Sequence, residues 1–302
     1  MRPHNYFIQE RRHMGMCTSQ LKTNHTNHSF SALNSEETRL MQTLDTLFKN
    51  WGILNGAFSM TMPLLLPVKD LALLDVYYNF PQQALLVSSL NLNQFTHDPI
   101  QSEITQIRSD ILEPVELGIP SAACYAVYLH YKGQAIPRSG ILITIKGQCC
   151  RKETHYDYLR RLLGFHMREV VALGSQSFTE AHLTQFSEKI MTFAALIGLP
   201  LRKEVATDLF YEPQNSVGQT RPFHYASPVK YEFLFEDVAI ASINSHGTFF
   251  GERCQITLAN SSKPIFTSCV AFGLERWLFA LYRQYGNWHD PIEMIESLGW
   301  AA

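Results

Sequence analysis

From Ala84 onward this chain is written in short β-rich runs, and that pattern limits the folds open to it more than any other feature. The runs fall at 84–90, 122–131, 140–148, 164–173, 201–207, 229–235, 238–245, 249–258 and 265–272. Helical periodicity interrupts them at about 100–112, 179–197 and 273–285. Many strands joined by short turns, with helices between and at the ends, predict an α+β fold around a mostly antiparallel sheet flanked by helices. With 302 residues, 46% hydrophobic and 17% charged, the chain can bury one large core, or one core with a small appendage.

Ahead of the sheet, residues 1–34 are polar, rich in His, Asn, Thr and Ser, and without a sustained apolar period. They are expected to be a disordered tail, with 35–302 as one catalytic domain. Met14 and Met16 leave a later start open. Ser35-Glu-Glu-Thr supplies a Ser cap with acidic residues in the first turn, and Leu40, Leu44 and Leu47 continue an amphipathic helix to about Trp51. Six cysteines, at 17, 124, 149, 150, 254 and 269, are scattered over a chain with no signal-peptide core and no apolar run long enough to span a bilayer. A reducing cytoplasm is the expected compartment, with thiols free or metal-bound. The formal net charge of -2 gives no basic field of the kind that a tRNA or DNA partner requires.

Two charged segments carry the chemistry. Arg151-Lys-Glu153, read as strand, puts cation and carboxylate on one face, so that one can meet a phosphate while the other holds an amine. A hundred residues later, Arg276 follows Gly273 where a strand hands over to a helix, a place that favours polyphosphate. Taken together they read as an ATP site. Taken singly, Arg151 and Glu153 could be a surface pair and Gly273 a plain turn.

In this order the two segments resemble motifs 2 and 3 of class II aminoacyl-tRNA synthetases, the seryl branch in particular. The resemblance is tighter still to the amino acid:[carrier protein] ligases, which look like a seryl-type catalytic domain without its tRNA-binding part. It is carried by Asn79-Phe-Pro81, Ala123-Cys124-Tyr125, Arg151-Lys-Glu153, Arg161 through Glu169, Ala206-Thr-Asp208-Leu-Phe210, Lys230-Tyr-Glu232, Ser242-Ile-Asn244 and Cys269 through Arg276, over roughly 45–285. It implies a class II synthetase-like core, with the dimer-forming first motif near the extended Pro63 to Pro67 segment, and hence a homodimer.

The resemblance also implies a zinc site of Cys124, Glu169 and Cys269, each on a strand, with a fourth position open for the substrate amine. The residues alone leave Cys124 and Cys269 as ordinary buried thiols. Cys149 and Cys150 are adjacent and are expected to face opposite ways as packing residues; Cys150 stands where the family has a bulky aromatic. Arg151 is implied to contact the α-phosphate, Glu153 the adenine or a nearby amine, and Arg161 the outer phosphates. Phe165 is implied to stack on adenine, though a Phe on a strand is commonly core. Arg276 would lie against adenine and the γ-phosphate. Lys230, Ser242 and Asn244 would line the nucleotide and amino acid sites, and Asp208 would lie near the amine. The chain departs from the family at His246-Gly-Thr248-Phe-Phe-Gly251, where an acidic residue is common, and that puts substrate choice in question.

The implied activity is that of a zinc-dependent ligase. It activates a small amino acid with ATP and Mg²⁺ as an aminoacyl-adenylate, then passes it to the phosphopantetheine thiol of a carrier protein. Two other readings stay open at this point: an adenylating enzyme with another acceptor, a protein lysine or a tRNA, and an ATP-binding pseudo-enzyme. A tRNA is not expected, because only a short helix and a polar tail precede the core. Residues 90–120 interrupt the core and are either a carrier docking surface or an ordinary packed helix.

Overall fold

A computed structural model describes residues 32–94, 106–206 and 230–299. Helix α1 (Ser35–Leu54) leads to strand β1 (Phe58–Met60), and a small layer follows: β2 (Leu66–Pro67), α2 (Val68–Leu73), α3 (Val76–Asn79), β3 (Leu85–Val87), β4 (Leu117–Ile119), α4 (Tyr125–His130) and β5 (Ala135–Ile136). Two long strands, β6 (Ile141–Cys150) and β7 (Gly164–Gly174), precede α5 (Gln176–Leu196). Then come β8 (Leu201–Val205), β9 (Lys230–Phe235), β10 (Val238–Ser245), α6 (Phe249–Arg253), β11 (Thr257–Leu258), β12 (Phe266–Gly273), α7 (Leu274–Tyr285) and α8 (His289–Leu298).

Seven strands form one sheet in the order β1-β6-β7-β12-β10-β9-β8. Only the β1–β6 pairing is parallel; the other five are antiparallel. The α+β expectation therefore holds, and long-strand boundaries fall close to the sequence reading. Apolar side chains alternate across the sheet, so each face has its own core. On one face α1, α5, α7 and α8 bury Leu44, Phe48, Trp51, Phe193, Phe272 and Trp277. Phe48 stacks on Phe272 with centroids 4.1 Å apart. Arg168 on β7, almost fully buried, forms a two-pronged pair with Asp45 of α1 at 2.8 and 3.0 Å, which fixes the helix against the sheet. On the other face Ile143, Ile145, Val171, Phe250 and Cys254 pack beneath α4, α6 and the small layer.

Several local expectations change. The cap of α1 is Asn34, one residue before Ser35: its side chain accepts from Glu37 N while the Glu37 carboxylate accepts from Asn34 N, a reciprocal box that Ser35 would have to shift the helix to make. The run 122–131 is not a strand but, over Tyr125–His130, the short helix α4, with Ala126, Val127 and Tyr128 buried. The run 249–258 divides into helix α6 and the two-residue strand β11. Of the helix expected at about 100–112, residues 100–105 lie outside the described residues, and Ser109–Ile111 is a single 3-10 turn. The tail expected at 1–34 lies outside the described residues over 1–31. No helix among the described residues is long and apolar enough to cross a membrane.

Candidate functional site

Register places the site. Across β7, β12, β10 and β9 the antiparallel pairs Glu169↔Ala271, Ala271↔Ser242 and Ser242↔Glu232 make one row. Val171↔Cys269, Cys269↔Asn244 and Asn244↔Lys230 make the next, and both rows face α4 and α6. Directly opposed residues share a face and rows two residues apart stay in reach, so Glu169, Cys269, Ser242, Asn244 and Lys230 converge.

Cys124 reaches the same point from outside the sheet. It caps the start of α4 and is not on a strand, correcting the expectation that strands carry all three donors. Gly147 of β6 permits the approach, since a Cβ there would meet Ala123 Cβ at 2.6 Å. The Ala123 N–H donates to Glu169 Oε1 at 3.0 Å, tying the loop to the carboxylate itself. One donor atom from each of Cys124, Glu169 and Cys269 then lies within 4.8 Å of the others, all buried.

This cluster is costly as it stands. Glu169 Oε2 is buried without a well-formed hydrogen bond among the described residues. Burial pushes the Glu169 carboxyl up to about 8, charge on Cys269 adds to the rise, and contacts with Cys124 and the Ala123 N–H offset it only in part. The two thiols are pushed in opposite directions. The hydrogen bond between them draws Cys269 well below an ordinary thiol, with His246 and Asn244 adding to the drop, and sends Cys124 well above. A divalent cation would relieve the orphaned oxygen and the crowded charge together. Two sulfurs and one carboxylate fit Zn²⁺ with a coordination position left open.

Four cations lie beside the cluster, each already on a protein oxygen. Arg151 stands just past the end of β6, not on the strand, and its Nε donates to Ser121 O at 3.0 Å. Its guanidinium covers the Phe165 ring at 5.1 Å, so the face expected to stack on adenine is occupied by Arg151. Arg161 pairs with Glu153 at 2.8 Å, and Lys230 with Glu232 at 3.1 Å. Arg276, in the first turn of α7, donates to Arg160 O at 2.8 Å and Ala239 O at 2.9 Å. Its pKa is lowered to about 10, by desolvation first and then by the charges of Arg151 and Arg161. Glu275 beside it accepts from the His166 N–H at 2.9 Å and bonds the same ring at 2.7 Å, fixing the start of α7 to β7.

These groups line two adjoining cavities. The smaller, about 90 Å³, is bounded by Glu153, Phe165 and Arg276; the larger, about 300 Å³, reaches Cys124, Glu169 and Cys269. Arg151, Lys230 and Ser242 line both. The structure thus assembles every expected site residue except Asp208, which lies outside the described residues. Sequence reasoning missed His246 as a site residue: its Nε2 lies 3.8 Å from Cys269 Sγ. The available signal was its position two residues beyond Asn244 at the end of β10, which keeps it on the Asn244 side of the strand.

No protein-family model matches the chain. It is 30% identical over 184 residues to amino acid–[acyl-carrier-protein] ligase 1 of Bradyrhizobium diazoefficiens, covering 58% of this chain and 55% of that protein. It is 30% identical over 205 residues to ligase 2 of the same organism, covering 64% and 59%. The chain therefore spans little more than half the length of these curated relatives. Its structure matches that of M. kandleri SerRS in complex with A. aeolicus tRNASec with a TM-score of 0.73 at 18% identity, over 91% of this chain and 58% of that one. The fold is the catalytic fold of class II aminoacyl-tRNA synthetases, and the chain is a homologue of the two ligases.

Proposed function

We propose that this protein activates a small amino acid with ATP and transfers it to the phosphopantetheine thiol of a carrier protein. The observation that carries the reading is the adjacency of the Cys124–Glu169–Cys269 cluster to the cation-lined cavity, with Arg151, Lys230 and Ser242 shared between them. The similarity to the two Bradyrhizobium ligases supports the acceptor class. Residues 35–302 would act as one catalytic domain in a cytoplasmic homodimer. Leu54, Phe58 and Leu64 are exposed around the first-motif segment and would meet the second copy.

Cys124, Glu169 and Cys269 would hold zinc, which when bound supplies an open position for the substrate's amino group. The remaining work falls to the chain's own residues. Asn244, in the row of Cys269, and Ser242, in the row beside it, would orient the amino acid so that its carboxylate faces the smaller cavity. Arg151 and Arg276 would exchange their carbonyl partners for phosphate oxygens of Mg²⁺-ATP, and Arg161 would leave Glu153 for the outer phosphates. Glu153, once released, would accept from the adenine amine, and Phe165, uncovered by Arg151, would stack on the base. Lys230 would stand between nucleotide and amino acid, with Asp208 near the amine. A carboxylate oxygen then attacks the α-phosphorus as the bond to the pyrophosphate oxygen breaks. In the second step the carrier's thiolate attacks the acyl carbon of the mixed anhydride and AMP leaves. No side chain of the protein becomes covalently attached.

The test is amino-acid-dependent ATP–pyrophosphate exchange across the standard amino acids, with native protein beside Cys269→Ser. Exchange with one small amino acid, lost in the variant, is the expected result. Silence with every amino acid would move the reading to an ATP-binding protein without this activity. Hydroxylamine-labile product on a phosphopantetheinylated carrier, against stable product on a lysine, then identifies the acceptor.

A further inference from the structure

Cys124 and Cys269 are chemically alike but stand in different company. Cys269 Sγ has two side-chain nitrogens beside it, Asn244 Nδ2 at 3.4 Å and His246 Nε2 at 3.8 Å. The His246 ring is held from several sides. Its backbone N–H donates to Thr267 O at 3.0 Å, and its Nδ1 lies 3.3 Å from both Tyr128 Oη and Thr267 Oγ1. The ring edge meets Phe250 at 4.9 Å, and Phe250 stacks on Tyr128 at 4.1 Å. Tyr128 and Thr267 are fully buried.

A ring fixed in this way has its tautomer decided by its neighbours. At Nδ1 either hydroxyl can donate to the ring lone pair. At Nε2 a metal-bound thiolate has no proton to give, so that nitrogen has to be the donor.

We propose that His246 is a positioning residue that donates its Nε2–H to the Cys269 thiolate, so that the two sulfurs of the cluster hold a metal unequally. Asn244 aids the same sulfur, and Cys124 keeps the greater electron density. The inference rests on reading Cys124, Glu169 and Cys269 as a metal site. Three anionic donors would overcompensate a divalent cation, and N–H groups on one of them return part of its pull on a neutral amine.

The experiment is near-ultraviolet and visible absorption of the cobalt-substituted protein, native beside His246→Phe and His246→Gln. Phe keeps the ring packing against Phe250 and Tyr128 but loses the donor; Gln keeps an N–H. The thiolate-to-cobalt band is expected to move to lower energy in His246→Phe, because an undonated sulfur is easier to oxidise, and to return towards the native position in His246→Gln. Chelator competition should show metal binding weakened by about 10-fold in the Phe variant. A purely structural role for the ring would leave the band where it is, and that result overturns the proposal. So does a change of the ligand-field bands to those of a centre that has lost a nitrogen ligand, which would make His246 a direct ligand. Native protein that takes up no cobalt defeats the metal site itself, and this inference with it. If His246→Phe does not fold, His246→Leu, which likewise lacks the N–H, should give the same red shift; an unmoved band there also overturns the proposal.

Discussion

Around Cys124, Glu169 and Cys269 every donor is buried and fixed by backbone, whereas Arg151, Arg161 and Arg276 are partly open and already rest on protein oxygens. The two ends share one sheet and differ in what holds them. Strand register and the Gly147–Ala123 approach set the first. Replaceable, part-buried ion pairs and hydrogen bonds to carbonyls set the second. On the proposed function the buried end would suit one ligand geometry, and the open end would exchange partners when a polyanion arrives.

If that contrast holds, substitutions should fail abruptly at one end and by degrees at the other. The largest effect is expected for Glu169→Gln, which keeps the shape and removes the anionic donor: metal affinity by chelator competition should fall more than about 100-fold, with exchange activity lost. Retained metal would show that the carboxylate is not a ligand. Next is Arg276→Ala, expected to slow pyrophosphate exchange on the order of 100- to 1000-fold while metal content stays unchanged. Loss of metal in that variant would break the division between the two ends.

A control lies on the opposite face of β12. His182 bonds Ser268 Oγ at 2.9 Å, and burial pushes its pKa from 6.5 down to about 3. The unfolded imidazole takes up a proton below pH 6.5 that the folded one refuses until about pH 3, so stability is lost as pH falls through that window. Urea midpoints between pH 7 and 4 should fall, and His182→Gln should remove that part of the slope. The limiting size is on the order of 5 kcal/mol. An unchanged slope would show that His182 takes up a proton as readily in the fold as in the unfolded chain. The smallest effect is expected for Arg161→Ala. Losing one partly exposed cation should raise the KM for ATP by roughly 3- to 10-fold and leave metal binding alone, because the lost contact is partly offset by the freed Glu153.

Much of the sheet was legible because β6, β7, β10 and β12 carry short apolar runs with β-branched or aromatic residues. Their register, once folded, delivers Glu169, Cys269, Ser242 and Asn244 without further help. Cys124 was legible as a donor but not as to where it stands. Its helix is only six residues long, and what positions it is the missing side chain at Gly147, a contact twenty-odd residues away. Arg151 was read one step too far into the strand, since pairing of β6 with β7 ends at Cys150. His246 escaped notice because its partners Tyr128, Thr267 and Cys269 come from distant segments. The carbonyl partners of Arg151 and Arg276 were out of reach for the same reason.

The alternation along β12 has one more consequence. Cys269 faces the cluster while its neighbour Ser268 faces His182 beneath α5. A slip of this strand by a single residue would turn the sulfur under the helix and bring a hydroxyl in its place. Any ion that requires both sulfurs would then be captured only by chains whose strands have paired in the correct register, so metal uptake would act as proofreading of the fold.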